Sequence, residues 1–205
     1  KKYPLGSSKV ISNGVNLPVR ALSTDYIESL GLEKNKYIIG VGRFLEEKGF
    51  DYLIRAFGKT GVDEYKLVLV GDTDYPTDYS KKLRSLALKN NIVLTGFIKG
   101  DKLQQVFSFA RLFIIASYSE GHPIALLEAM SYKTDVLASD IPANLQIGLE
   151  SSDYFKVGNE DDLKEKILAK LSGRGERDYK DLLSSKYNWD TIAGETYEIY
   201  NNLKH

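Results

Sequence analysis

The chain has 205 residues, 28 basic and 28 acidic, so its formal net charge is zero, and 42% of it is hydrophobic. That size supports one domain with its own core, and the balanced charge leaves no electrostatic footprint for nucleic acid. Cysteine is absent, which removes disulfides and thiolate metal sites, and no apolar run approaches the roughly 20 residues that span a bilayer.

The chain opens Lys1-Lys2-Tyr3-Pro4, without methionine or an apolar signal segment, and reads as a piece of a longer protein. In chain order, Lys9–Ser12 predicts a first strand and Asp25–Leu30 a helix. Tyr37–Val41, a strand, precedes a helix over Phe50–Phe57, and Lys66–Val70 precedes one over Tyr79–Lys89. The strand Ile92–Thr95 leads to a helix over Lys102–Ala110, and Leu112–Ala116 to one over Ile124–Tyr132. Asp135–Ala138 and a short Tyr154–Val157 are the last strands, followed by a helix over Glu160–Leu171. Ser172-Gly173-Arg174-Gly175 is a turn or linker. Beyond it a final helix carries the stripe Ile192, Thr196, Ile199, Tyr200 and Leu203.

Continuous apolar strands alternating with helices predict an α/β fold, a Rossmann-like doubly wound parallel sheet in three layers. Residues 1–172 form this domain, and 173–205 form a linker and helix packing back on it. Such sheets bind ligands outside the carboxyl ends of their strands. Arg43, Gly71, Gly96 and Glu120 each follow a strand and therefore share one rim.

The most telling segment is Ser119-Glu120-Gly121-His122-Pro123-Ile124-Ala125-Leu126-Leu127-Glu128-Ala129-Met130. Pro123 suits the first helical position, leaving the amides of Ile124, Ala125 and Leu126 to face an anion at the helix N-terminus. Eight helical positions would separate Glu120 from Glu128 by ~12 Å, beyond the roughly 5–9.5 Å of a hydrolytic carboxylate pair. The two acids are thus expected to serve different parts of one elongated ligand. Gly40-Val41-Gly42-Arg43 begins like a dinucleotide fingerprint but has Leu45 at the third glycine. Arg43 and Lys48 suit a diphosphate, one as a planar fork and the other as a point charge. Their plain alternative is a solvated loop balancing Glu46 and Glu47. Asp72-Thr73-Asp74 has the form of a divalent-metal motif, although small and acidic turn residues are ordinary there. His122 is the one internal histidine, with no second histidine or cysteine nearby for a metal. The basic residues Lys81, Lys82, Arg84 and Lys89 read as a solvated helix face, with contact to anionic lipid as the alternative.

The glutamate-rich segment resembles the signature of glycosyltransferase family 4, the retaining group-1 transferases, and further segments follow that family's order. They are Ile11-Ser12-Asn13-Gly14-Val15-Asn16, Val41-Gly42-Arg43-Phe44-Leu45-Glu46-Glu47-Lys48-Gly49, Leu67-Val68-Leu69-Val70-Gly71 with Val93-Leu94-Thr95-Gly96-Phe97, and Ala138-Ser139-Asp140-Ile141-Pro142. The resemblance implies the C-terminal, donor-binding half of a GT-B fold, with the acceptor-binding N-terminal domain outside this chain. It implies a hexosyltransferase-type enzyme that takes a nucleoside diphosphate sugar and needs no metal or other cofactor. By resemblance Arg43, Lys48 and Glu120 are catalytic, Glu128 holds ribose, and main-chain groups near Phe97 and Ile98 read the base. Gly42, Gly71, Gly121, His122, Pro123, Ile124, Ala125 and Leu126 complete the donor site. The expected partners are the donor, the N-terminal domain and an acceptor glycan or glycolipid. The expected setting is the cytoplasm, at most peripheral to the membrane's inner face. This piece alone is expected to bind nucleotide without turnover. Two alternatives are a non-catalytic nucleotide-sugar-binding module and a metal-dependent transferase using Asp72 and Asp74. Lys133, Asp135, Leu145 and Gln146 depart from the family pattern and are expected beside the sugar.

Overall fold

The computed structural model describes residues 10–173 and 175–202. Six strands, β1 (Tyr37–Val41), β2 (Lys66–Val70), β3 (Val93–Leu94), β4 (Leu112–Ile115), β5 (Asp135–Ser139) and β6 (Tyr154–Phe155), make one sheet in the order β3-β2-β1-β4-β5-β6. All five pairings are parallel. The chain winds outward from β1 to β3 and then returns to lay β4 beside β1. The direction of winding therefore reverses between β1 and β4, which opens a crevice at their carboxyl ends.

The strand side chains alternate between two cores. Tyr37 and Ile39 of β1, Val68 and Val70 of β2, and Phe113 and Ile115 of β4 face one layer. That layer contains α1 (Asp25–Ser29), α4 (Asp101–Ser108), α5 (Ile124–Ser131) and α8 (Lys180–Lys186). Ile38, Leu67, Leu69, Leu112 and Ile114 face the other, built on α2 (Phe50–Gly58), α3 (Asp78–Lys89) and α7 (Glu160–Leu171). Period-2 alternation on a sheet covered on both faces gives the three layers. The short α6 (Pro142–Leu145) follows β5, and α9 (Trp189–Asn202) closes the described chain.

Several expectations require correction. Residues 10–12 carry no strand, and Lys9 lies outside the described residues. Their continuation through Asn13-Gly14-Val15-Asn16 instead lies as a strap, joined at Val15 N–H to the Tyr187 carbonyl at 2.9 Å, with Gly14 against the Trp189 ring. In α9 only Ile192 of the expected stripe is buried; Thr196 and Ile199 are half-buried, Tyr200 is 65% exposed, and Leu203 lies outside the described residues. A helix carrying one apolar anchor touches the domain at its first turns and leaves Tyr197 and Tyr200 in solvent. The linker region also folds the unpredicted α8, whose Leu183 joins the core.

Candidate active site at the winding reversal

The loops after β1 and β4 interlock at the crevice. After β1 a single 3-10 turn, Glu46–Lys48, ends on Gly49 at φ 62°, and a Cβ there would lie 2.2 Å from the Ala116 carbonyl oxygen. Only glycine permits both that backbone and that approach. The Glu47 carbonyl accepts from Tyr118 N–H at 2.8 Å, and the Tyr52 hydroxyl donates to the Ala116 carbonyl. The lysine–glycine turn and the glutamate loop are therefore one rigid unit. Across it Lys48 Nζ meets Glu120 Oε1 at 2.7 Å, and Ser117 Oγ donates to the same oxygen at 2.6 Å. Lys48 thus balances Glu120 rather than Glu46 or Glu47. Arg43 is exposed, and its side chain makes no hydrogen bond or ion pair among the described residues.

The loop after β2 supports this unit from the side. Gly71, at φ 128°, is buried so tightly against Gly42 that a Cβ would sit 2.0 Å from the Gly42 carbonyl oxygen. Gly71 N–H bonds the Gly96 carbonyl at 3.0 Å, and Phe44 N–H bonds the Asp72 carbonyl at 2.8 Å. These contacts give Gly71 a packing role and hold Phe97, 61% exposed, on the same rim, while Ile98 packs partly on the core.

Pro123 is the residue before α5 rather than its first member, with φ −82° and ψ 67°. That conformation is an inverse γ-turn: Ile124 N–H bonds the His122 carbonyl at 2.9 Å, and Leu126 N–H bonds the Pro123 carbonyl at 3.0 Å. Of the three amides expected to be free, Ala125 alone keeps no partner among the described residues. The N-terminus of α5 therefore offers one backbone donor to an anion. Gly121 has open space around its Cα. His122 is half-buried; burial lowers its pKa, partly offset by its hydrogen bond to the Asn13 backbone. Its Nε2 is buried without a partner and its ring lies 6.1 Å from that of Tyr187, so the imidazole is packed against the strap and α8 side of the rim.

Glu128, on α5, borders a cleft of about 620 Å³ walled by Asn13–Asn16, by Gly100, Asp101, Leu103 and Gln104, and by Trp189. Burial alone raises the pKa of its half-buried carboxyl, which has no hydrogen bond or ion pair among the described residues. Arg43 is exposed on the rim, whereas the Lys48 and Glu120 side chains are only 19% and 10% exposed. A cleft of about 1030 Å³ between α2 and α3 borders the other side of the same unit, lined by Glu46 and Glu47 of the 3-10 turn and by Tyr118 of the glutamate loop, but not by Arg43, Lys48 or Glu120.

Other candidates fall elsewhere. Asp72 is bound by Arg84 and accepts from Thr73 N–H at 2.7 Å. Burial would raise its pKa, but Arg84 and that amide outweigh it and hold the carboxyl low. Asp74 is exposed, and no three His, Asp or Glu side chains gather into a potential metal cluster among the described residues. Arg84 and Lys81, which approaches Asp78 at 3.8 Å, are thereby partly neutralised on the basic face of α3. Lys133 and Asp135 sit at the amino end of β5, opposite the rim, where Lys133 pairs with Asp178 and Asp135 with Lys170. The expectation that they flank the sugar is wrong, because each precedes or begins the strand that carries Ser139 to the rim. Gln146 does reach the His122 side, and both line a cleft of about 490 Å³.

The model of the family described as glycosyl transferases group 1 matches residues 23–184. The chain belongs to this family. It is 31% identical to an uncharacterized glycosyltransferase of Methanocaldococcus jannaschii, over 96% of this chain and 54% of that protein. It is 30% identical to the O-antigen chain mannosyltransferase RfbU of Salmonella typhimurium, over 78% of this chain and 44% of RfbU. Among solved structures, Anabaena HepE in complex with UDP and glucose superposes with a TM-score of 0.78 at 20% identity, over 94% of this chain and 56% of HepE. The chain thus spans about half the length of its curated relatives, and its fold is that of a C-terminal GT-B domain. No helix among the described residues is long and apolar enough to cross a membrane.

Sequence reasoning missed Ser117, Ser139 and Asn144, the polar chain behind Glu120 described below. It also missed the wall that the Asn13–Asn16 strap and Trp189 give to the Glu128 cleft. The serine three residues before Glu120, directly after an apolar strand, was the available signal for the first.

Proposed function

We propose that this chain is the donor-binding half of a retaining, metal-independent glycosyltransferase that uses a nucleoside diphosphate sugar. The observation that carries this reading is the pairing of Lys48 with Glu120 at the winding reversal, beside an unpaired Arg43. Arg43 and Lys48 take the diphosphate. As the bond between the anomeric carbon and the phosphate oxygen breaks, their fixed positive charge stabilises the charge building on the leaving group. The Ala125 amide at the start of α5 adds a neutral donor. Glu128, without a partner in its cleft, accepts both hydroxyls of the ribose. Glu120 meets the sugar, the backbone from Gly121 to Ala125 lines it, and main-chain groups near Phe97 and Ile98 face the base.

The open rim fits a site whose second wall comes from an N-terminal domain outside this chain, which would also carry the acceptor. On this reading the chain alone binds nucleotide without turnover. UDP in HepE and the O-antigen chain named for RfbU favour a nucleotide-sugar donor and a cell-surface glycan acceptor. Such a donor suits a cytoplasmic setting.

The test is to incubate the full-length protein with UDP-, GDP- and ADP-sugars in EDTA and to read the anomeric configuration of the product by NMR. Turnover in chelator with retained configuration is expected. An inverted product, or activity only with added Mn²⁺ or Mg²⁺, would overturn this reading.

A further inference from the structure

A buried polar chain runs from α6 to the rim and ends on a single oxygen of Glu120. Asn144 Nδ2 donates to the carbonyl of Ser139 at 2.9 Å and to its Oγ at 3.0 Å. Ser139 Oγ donates to the Ser117 carbonyl at 2.7 Å, and Ser117 Oγ donates to Glu120 Oε1 at 2.6 Å. Asn144 and Ser139 are 0% exposed and Ser117 is 1% exposed. Burying three polar side chains in series costs stability unless each is satisfied, and every donor of the series finds an acceptor while Asn144 Oδ1 stays buried without a partner among the described residues. Here the donors run in one direction, from α6 through the ends of β5 and β4, toward the carboxylate.

We propose that Ser117, backed by Ser139 and Asn144, is a positioning residue that fixes Glu120 for the donor sugar. This rests on the proposed role of Glu120 and adds the device that holds it. Lys48 Nζ and Ser117 Oγ share Oε1, while Oε2 has no hydrogen bond among the described residues. Lys48 cannot fully serve both Glu120 and an arriving diphosphate. When the diphosphate draws the ammonium away, Ser117 still anchors Oε1 and leaves Oε2 aimed at a sugar hydroxyl. Without that anchor the glutamate recovers rotamer freedom as the sugar arrives, and ordering it again weakens sugar recognition.

The test is calorimetry on the full-length protein with the nucleoside diphosphate it binds and with the corresponding sugar conjugate. The readout is the ratio of the two affinities in wild type, Ser117→Ala, Glu120→Ala and the double variant. Ser117→Ala should shift the ratio against the sugar conjugate by about 3- to 10-fold, the usual worth of one hydrogen bond. Its affinity for the bare nucleotide should stay within about twofold. Glu120→Ala should shift the ratio at least as far, and adding Ser117→Ala to it should change nothing more. An unchanged ratio in Ser117→Ala, or an equal further shift in the Glu120→Ala background, overturns the positioning role. Thermal denaturation of each variant reports folding. If the alanine variant does not fold, the near-isosteric Ser117→Cys, a weaker donor, should shift the ratio the same way, and a wild-type ratio there overturns the proposal. Wild-type protein that binds no nucleotide overturns the parent reading instead.

Discussion

Both ends of the sheet gather charge, but they use it differently. At the amino end of β5 and β6, the fully buried Asp153 meets Lys170 at 2.7 Å and both carboxylate oxygens meet Arg177, at 2.9 and 2.8 Å. Lys170 also takes Asp135 at 2.6 Å, and nearby Arg111 Nη2 donates to the carbonyls that end α7, although its Nη1 is buried without a partner. At the carboxyl end, Lys48 and Glu120 are paired, while Arg43 and Glu128 have no partner among the described residues. A charge cluster that builds the fold satisfies its ions with protein groups. One that awaits a ligand leaves part of its capacity unused.

That contrast breaks first at Asp153. Removing it takes the shared carboxylate from Lys170 and from the half-buried Arg177, which keep Asp135 and Glu150, so Asp153→Ala should cost about 3 kcal/mol, the low end for a broken buried pair. Chemical denaturation checks the loss, while the protein that remains folded should bind nucleotide as wild type does. Gly49→Ala comes next, because φ 62° and the Ala116 carbonyl both exclude a Cβ. It should destabilise by about 1–3 kcal/mol and, by displacing the Lys48 turn, also weaken nucleotide binding in titration. Arg43→Ala inverts the pattern. Stability should stay within about 0.5 kcal/mol, while affinity for the nucleoside diphosphate falls about 10- to 100-fold.

The smallest effect is that of Glu128→Gln. Burial raises the Glu128 carboxyl pKa in the fold. As pH rises through the carboxylate range, the unfolded chain ionises first, and the native state loses stability until the folded pKa is passed. The glutamine variant should therefore melt slightly higher than wild type at pH 7, and the gain should vanish at pH values below the unfolded carboxylate pKa. A scan of melting temperature against pH checks the sign.

The strands were legible because a sheet covered on both faces needs uninterrupted apolar runs; Tyr37–Val41 and Lys66–Val70 match to the residue. Lys9–Ser12 looked similar only by composition and lacks such a run of core residues. At the site, the alignment of Arg43, Lys48 and Glu120 on one rim was readable, since each lies just after a strand of a parallel sheet. The pairing of Lys48 with Glu120 was not, because it depends on β4 lying beside β1 and on two residues 72 positions apart. Pro123 was misplaced by one residue, as the γ-turn that draws back the Ile124 amide depends on a ψ of 67° that proline does not fix. Asp135 was misplaced by the length of a strand, because a motif written in sequence order does not record which end of the strand it occupies.

The central claim is that the unused charge at the carboxyl rim belongs to a nucleoside diphosphate. Calorimetric titration with UDP, GDP and ADP in EDTA, on wild type, Arg43→Ala and Glu128→Ala, tests it most directly. Saturable binding of one nucleotide, lost or strongly weakened in both variants with their melting temperatures near that of wild type, is the predicted result. A nucleotide bound equally well by all three proteins would contradict the claim.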